Sequence, residues 1–179
     1  MSLPRIVYQT NPRWLVITKP RGWSLAARSA KAQSSVEAFL PPILGRTGGE
    51  KLYFPFEIDS RMKALAIVCC DGGMSSQFER FKNRNEVAFT YRVLLKDGQN
   101  PFTNKAVPPE LLVSPIKEGK NLFVDIESDR YLSFKSLDSI CENLIENENV
   151  NLFQLRFPDP LNPNVDEVTI SIEPTLTDN

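Results

Sequence analysis

The chain of 179 residues contains no histidine. That absence removes Ser-His-Asp and Cys-His catalysis, His-ligated zinc and proton shuttling by imidazole near neutral pH. Cysteine offers no substitute. Cys69 and Cys70 are adjacent and would project to opposite faces of a strand, while Cys141 stands alone, so no metal-ligand spacing exists. Such cysteines read as small buried side chains in a reducing compartment. The chemistry open to this chain therefore rests on carboxylates, tyrosine, lysine and arginine. One segment concentrates these types: Asp59-Ser60-Arg61-Met62-Lys63 joins two apolar runs, Leu52 to Ile58 and Ala64 to Cys70. Connections of this kind readily carry functional residues on a rigid support.

With 41% apolar and 24% charged residues, the composition is that of one globular domain with a sizeable core. The longest uninterrupted apolar stretch, Ala64 to Cys70, is far shorter than the ~20 residues of a bilayer span. No signal-peptide pattern opens the chain, and neither membrane insertion nor secretion is expected. The net charge of -1 hides an uneven distribution. Residues 1–36 hold six basic residues (Arg5, Arg13, Lys19, Arg21, Arg28, Lys31) and no acid, residues 61–96 hold seven basic against three acidic, and residues 120–179 hold four basic against twelve acidic. A basic N-terminal half suits a phosphate-facing surface, and an acidic C-terminal part suits the opposite side. The acid-free start, together with the lack of a nuclear-type basic run, points to mitochondria, with the cytoplasm as the alternative.

Short strands are expected at Arg5 to Tyr8 and Trp14 to Thr18, closed by Lys19-Pro20-Arg21-Gly22, where proline cannot donate to a ladder and glycine permits a turn. Ser34 and Glu37 have capping-box spacing, and Val36, Phe39 and Leu40 form an apolar stripe that Pro41-Pro42 should end. The runs Leu52 to Ile58 and Ala64 to Cys70 read as strands, followed by an Asp71-Gly72-Gly73 turn. Ser76 and Glu79 repeat the capping spacing ahead of a helix that buries Phe78 and Phe81 and exposes Arg80, Lys82 and Arg84. Val87 to Leu95 alternates with period two, putting Val87, Phe89, Tyr91, Val93 and Leu95 on one face. Further strands are expected at Leu122 to Ile126, Tyr131 to Phe134, Asn151 to Phe157 and Val168 to Ile172, with a helix across Leu137 to Ile145. Strands mixed with a few helices, without regular βαβ alternation, predict an α+β domain on a largely antiparallel sheet.

The order of these pieces resembles the RluA-type pseudouridine synthases. Ile6-Val7-Tyr8 through Trp14-Leu15-Val16-Ile17-Thr18-Lys19-Pro20-Arg21-Gly22-Trp23 is similar to that family's opening "I-x-Y-E-D-x-x-L-V-V-N-K-P-A-G". Phe56-Glu57-Ile58-Asp59, the strand Ala64 to Cys70, the helix with Gln77-Phe78 and Arg84, and Phe89-Thr90-Tyr91 resemble "H-R-L-D … G-L-L-x-x-A-K … Q-F-x-x-R … K-x-Y" in the same order. The resemblance covers about residues 6–96 and leaves the part from about residue 97 divergent within a single domain of residues 1–179. It implies a pseudouridine-synthase-like fold, a mixed and largely antiparallel sheet with flanking helices. It also implies the isomerisation of uridine to pseudouridine in RNA without a cofactor. The family's essential Asp aligns with Asp59, a carboxylate that attacks or removes a proton beside a flipped-out base. Its Tyr, which stacks near the uracil and helps to move a proton, aligns with Tyr91. Its third member, the Arg of "H-Q-I-R", has a literal match in Phe153-Gln154-Leu155-Arg156, making Arg156 a candidate. Yet Pro158 and Pro160 follow at once and preclude the helix that motif begins, so a strand is the better reading of these residues.

Several family positions differ. Glu57 stands where the family has Arg, two residues from Asp59, and on a strand the two carboxylates would share a side. Neighbouring acids ionise together only at a cost, and Arg61 in the following turn is the residue able to compensate. The family's His is Phe56, and the Lys of K-x-Y is Phe89. Three function classes follow: an RNA pseudouridine synthase with an eroded site, acting on structured, ribosomal RNA; a catalytically inactive relative serving as a structural or assembly component of a mitochondrial ribosome; and a protein-contact module whose acidic end suits a basic partner such as a ribosomal protein. The RNA-facing surface expected in the first two comprises Arg13, Lys19, Arg21, Arg61, Arg80, Lys82 and Arg84.

Overall fold

The computed structural model of the chain describes residues 2–26, 34–46, 51–103 and 105–174. Arg28 and Lys31, counted in the basic start, lie outside the described residues. Among the described residues eight strands form one sheet: β1 (Arg5–Asn11), β2 (Trp14–Lys19), β3 (Lys63–Cys69), β4 (Ala88–Leu95), β5 (Leu111–Glu118), β6 (Asn121–Ser128), β7 (Ile145–Pro158) and β8 (Glu167–Ser171). Their order is β1-β2-β3-β7-β4-β6-β5, with β8 added on β7. All pairings are antiparallel except β3 with β7. The expected α+β class and largely antiparallel sheet are what is found.

The long strand β7 organises the molecule. One of its edges carries β4, from Ala88 opposite Arg156 to Leu95 opposite Ile145. The other is shared by β3, beside Asn151 and Leu152, and β8, beside Gln154 to Pro158. Period-two alternation in β4 buries Phe89, Tyr91, Val93 and Leu95 as expected, and leaves Thr90 and Arg92 partly exposed on the other face. There Arg92 meets Asp125 of β6 in register, Nε to Oδ1 at 2.7 Å. Strands β2 and β3 are buried almost throughout and read as continuous apolar runs for that reason. Trp14 packs edge-on against Phe78 and Phe157 at 5.3 and 5.6 Å between ring centroids.

Among the described residues three α-helices complete the fold: α1 (Val36–Ile43), α2 (Gly72–Asn83) and α3 (Phe134–Ile140). Their ends correct several expectations. Ser35, not Ser34, caps α1, its hydroxyl accepting from the Ala38 amide. Pro41 and Pro42 sit inside the last turn of α1, which ends at Leu44 before Gly45 at φ 69°. Proline is tolerated there because the helix stops before a longer run of hydrogen bonds is lost. Helix α2 begins at Gly72, in the segment expected to be a turn, because the Asp71 carboxylate accepts from the Met74 amide. Ser133 caps α3 through the Ser136 amide, so the helix opens at Phe134 and the expected strand Tyr131 to Phe134 does not form. Residues 52–58 also remain outside the sheet, apart from the bridge of Tyr53 to Cys69. Pro55 interrupts that run and cannot donate to a ladder.

Candidate active site around Asp59

Asp59 lies in the turn that leads into β3. Its carboxylate meets Arg61 in a two-pronged ion pair, Nε to Oδ1 at 3.1 Å and Nη2 to Oδ2 at 3.0 Å. The Arg61 amide also donates to Oδ1, at 3.0 Å. An acid two residues before an arginine can close this ring only where the backbone turns sharply, and the Met62 amide donating to the Asp59 carbonyl at 3.1 Å closes that turn. Partial burial pushes the Asp59 carboxyl up. The Arg61 side chain, the Arg61 amide and the Phe134 amide pull it further the other way, and the net shift is below the usual carboxylate range. Asp59 is therefore an ionised carboxylate at neutral pH. The guanidinium of Arg61 stacks over the Phe134 ring at 4.4 Å, which keeps the fork in one plane.

Lys19 fixes this turn from beneath. It was expected on the RNA-facing surface but is fully buried, at the end of a strand with no exposed side. Its Nζ donates to the carbonyls of Pro20, Trp23, Ser60 and Met62 at 3.1, 2.9, 3.4 and 2.6 Å. One ammonium thus binds the turn after β2 to the turn that holds Asp59. The Gly22 amide donating to the Ser60 carbonyl at 2.7 Å joins the same two turns. Burial lowers Lys19 to about 7, with the Asp59 charge opposing the shift.

Tyr91 shares this neighbourhood but is enclosed, with 0% of its surface exposed. Its hydroxyl accepts from the Leu132 amide at 2.6 Å, and burial holds the phenol well above its ordinary value. Between Tyr91 and Asp59 stands Tyr131, a residue the sequence did not single out. Its ring lies 6.5 Å from that of Tyr91, and its hydroxyl accepts from the Asp59 amide at 2.8 Å. No local signal marks Tyr131, because it reaches Asp59 only through tertiary packing of the β6–α3 connection.

Arg156 is not brought to Asp59. It lies on strand β7, as its flanking prolines imply, four positions beyond Leu152, which is paired with Ala64. That separation is about 13 Å along the strand. Its guanidinium pairs instead with Glu127 at 3.1 Å and Glu167 at 3.6 Å, in a cavity of about 420 Å³ that also gathers Glu86, Glu110 and Asp129.

The remaining cations fall into separate groups. Arg21 donates to the Asn149 side chain at 2.6 Å, beside the Asp59 turn, and Lys82 sits 5.9 Å from the centre of the Phe56 ring. Arg80 and Arg84 are exposed at the same end of α2. Arg13 is about 20 Å away along that helix, paired with Asp71 at 2.8 Å. Glu57 is exposed, and because residues 52–58 form no strand, the expected strand geometry that would set its carboxylate on the same side as that of Asp59 is absent. With Glu37 and Glu79, Glu57 lines a second cavity of about 370 Å³. The cations at the Asp59 turn that favour phosphate are thus Arg61 and, in the turn joined to it through Gly22 and Ser60, Arg21.

No protein-family model matches the sequence, and neither does any curated protein. Among solved structures the fold is similar to human RNA pseudouridylate synthase domain containing 4, with a TM-score of 0.60 at 12% identity over 95% of this chain and 88% of that one. It is similar also to human RNA pseudouridylate synthase domain containing 1, with a TM-score of 0.59 at 14% identity over 95% and 83% of the two chains. A third structure, described as a pseudouridylate synthase, gives 0.57 at 14% identity over 93% and 73%. At these identities the likeness is one of fold, and it extends well past residue 96.

Proposed function

We propose that this protein binds structured RNA, ribosomal RNA in the first instance, and isomerises uridine to pseudouridine at Asp59. The observation that carries the reading is the partly open Asp59 carboxylate, held ionised by Arg61, in a fold like that of RNA pseudouridylate synthases. In the reaction the bond from ribose C1′ to uracil N1 breaks, C1′ bonds to C5, C5 loses its proton and N1 gains one. Asp59 is the group that attacks or removes the proton, and an ionised carboxylate suits either role. Arg61 keeps the carboxylate charged while the base is displaced and offers its exposed edge to a phosphate or a uracil carbonyl. The isomerisation neither gains nor loses electrons, so it needs no net oxidant or reductant.

A second reading, RNA binding without turnover within a ribosomal assembly, is favoured by one specific observation. The residue aligned with the family's stacking tyrosine, Tyr91, has no exposed surface. The two readings part in a single experiment, in which structured ribosomal RNA is incubated with wild type or Asp59→Ala and pseudouridine is mapped chemically. Modification by the wild type alone supports turnover at Asp59. Equal binding by both proteins, with no modification by either, supports the binding role and eliminates the enzyme.

A further inference from the structure

Resting on the reading of Asp59 as the uridine site, we propose that Tyr131, not Tyr91, is the aromatic residue that meets the uridine base there. Tyr91 is shut in, whereas Tyr131 is half-buried and stands between Tyr91 and the Asp59 turn. Strand pairing puts it there. Phe89 of β4 faces Ser128 at the end of β6, and the Ser128 hydroxyl then accepts from the Arg130 amide at 3.1 Å, turning the chain back. The return path crosses the aromatic side of β4, so the Tyr131 ring lies 6.0 Å from Phe89 and 6.5 Å from Tyr91.

The buried Tyr91 hydroxyl then has a different task. By accepting from the Leu132 amide at 2.6 Å it pins the segment that presents Tyr131, and is a positioning group. Phe134, three residues on, does the same from the other side by lying beneath Arg61. Residues 131–134 therefore reach both the backbone amide of Asp59 and its cation.

Tyr131 oxygen acts as an acceptor toward the Asp59 amide, and among the described residues no acceptor takes its own proton. A uracil carbonyl fits that vacant direction, with the ring face as a stacking platform. Burial raises the phenol to about 12, so Tyr131 serves as a neutral donor and apolar surface and not as a base.

The test uses the full-length protein and structured RNA in which 4-thiouridine replaces uridine, crosslinked by long-wavelength light and digested, with the attachment point located by mass spectrometry. The expected result is a crosslink on the peptide containing Tyr131, retained in Tyr131→Phe and lost in Tyr131→Ala. In parallel, single-turnover rates on unmodified RNA should fall about 10- to 100-fold in Tyr131→Phe, the loss expected for one hydrogen bond left unmade. RNA affinity and thermal midpoint should remain near those of the wild type, and Tyr91→Phe should show a smaller loss of rate. A crosslink confined to other peptides, or a greater loss in Tyr91→Phe than in Tyr131→Phe, would overturn the assignment. Wild-type protein that crosslinks through Tyr131 yet forms no pseudouridine would overturn the enzymatic reading and leave the uridine contact standing.

Discussion

At the scale of single residues, the proposed chemistry depends on an acid and a cation supplied by the same turn. Desolvation alone would raise Asp59 and weaken it as an anion; Arg61 reverses the sign. Removing the cation in Arg61→Met should therefore move the Asp59 titration upward. In NMR titration of the Asp59 carboxyl carbon, the wild-type midpoint should lie below the usual carboxylate range and that of the variant should be higher. The acidic limb of the pH–rate profile should move in the same direction. Coincident midpoints in the two proteins would show that Arg61 does not control the charge. Arg61→Lys should recover only part of the effect, since a single ammonium cannot reproduce the fork. Asp59 and Arg61 were both legible in the sequence, because they stand between two apolar runs within a recognisable order of motifs. Tyr131 was not, since nothing in Arg130-Tyr131-Leu132 announces that its ring will lie over β4.

Among the elements, the decisive join is between β2 and β3. Lys19 holds four carbonyls from the two turns that flank these strands, and its burial makes the join sensitive to pH. Below about 7 the ammonium is charged in folded and unfolded chains alike, and the cost of burying it is fully present. As the pH rises from about 7 towards the ordinary 10.5, the folded protein sheds a proton that the unfolded chain keeps, so this group's contribution to stability increases. The slope is at most ~1.4 kcal/mol per pH unit. Lys19→Met should lose that rise. It should also lower stability at pH 7 by roughly 1–3 kcal/mol, because carbonyls buried around Nζ lose their donor. Urea unfolding of both proteins at pH 7 and pH 9 measures the difference, and parallel behaviour across that window would refute the proposed join. Strand β4 was legible from its alternation, as were β2 and β3 from their apolar runs. Helix ends were not: Ser76 and Ser34 have capping spacing, yet Asp71 and Ser35 make the caps, because several polar residues compete and packing chooses between them. Strand β5 was hidden by its exposed residues and by Pro115, which an edge strand tolerates.

For the whole molecule, uneven charge along the chain becomes uneven charge around the fold. Arg84 is exposed at the end of α2, two residues beyond Lys82, whereas Arg156 pairs with Glu127 and Glu167. RNA affinity should fall steeply with salt, with log K declining by about 0.7 to 0.9 for each phosphate neutralised. Arg84→Ala should flatten that slope by about one such contact, and Arg156→Ala should leave it nearly unchanged. Binding titrations between low and moderate salt test both, and a larger effect from Arg156 would relocate the RNA surface to the acidic end. Fold likeness over 95% of the chain also extends beyond the stretch in which motifs are recognisable.

The claim that binds these scales together is that Asp59 breaks and remakes bonds in uridine. Every isomerisation must release the hydrogen on C5, so structured RNA transcribed with tritium at uridine C5 reports the reaction directly. Wild-type protein should release the label to water in proportion to the pseudouridine formed, and Asp59→Asn should bind the RNA as tightly and release none. Tight binding by the wild type without label release, or equal release by the variant, would contradict the claim.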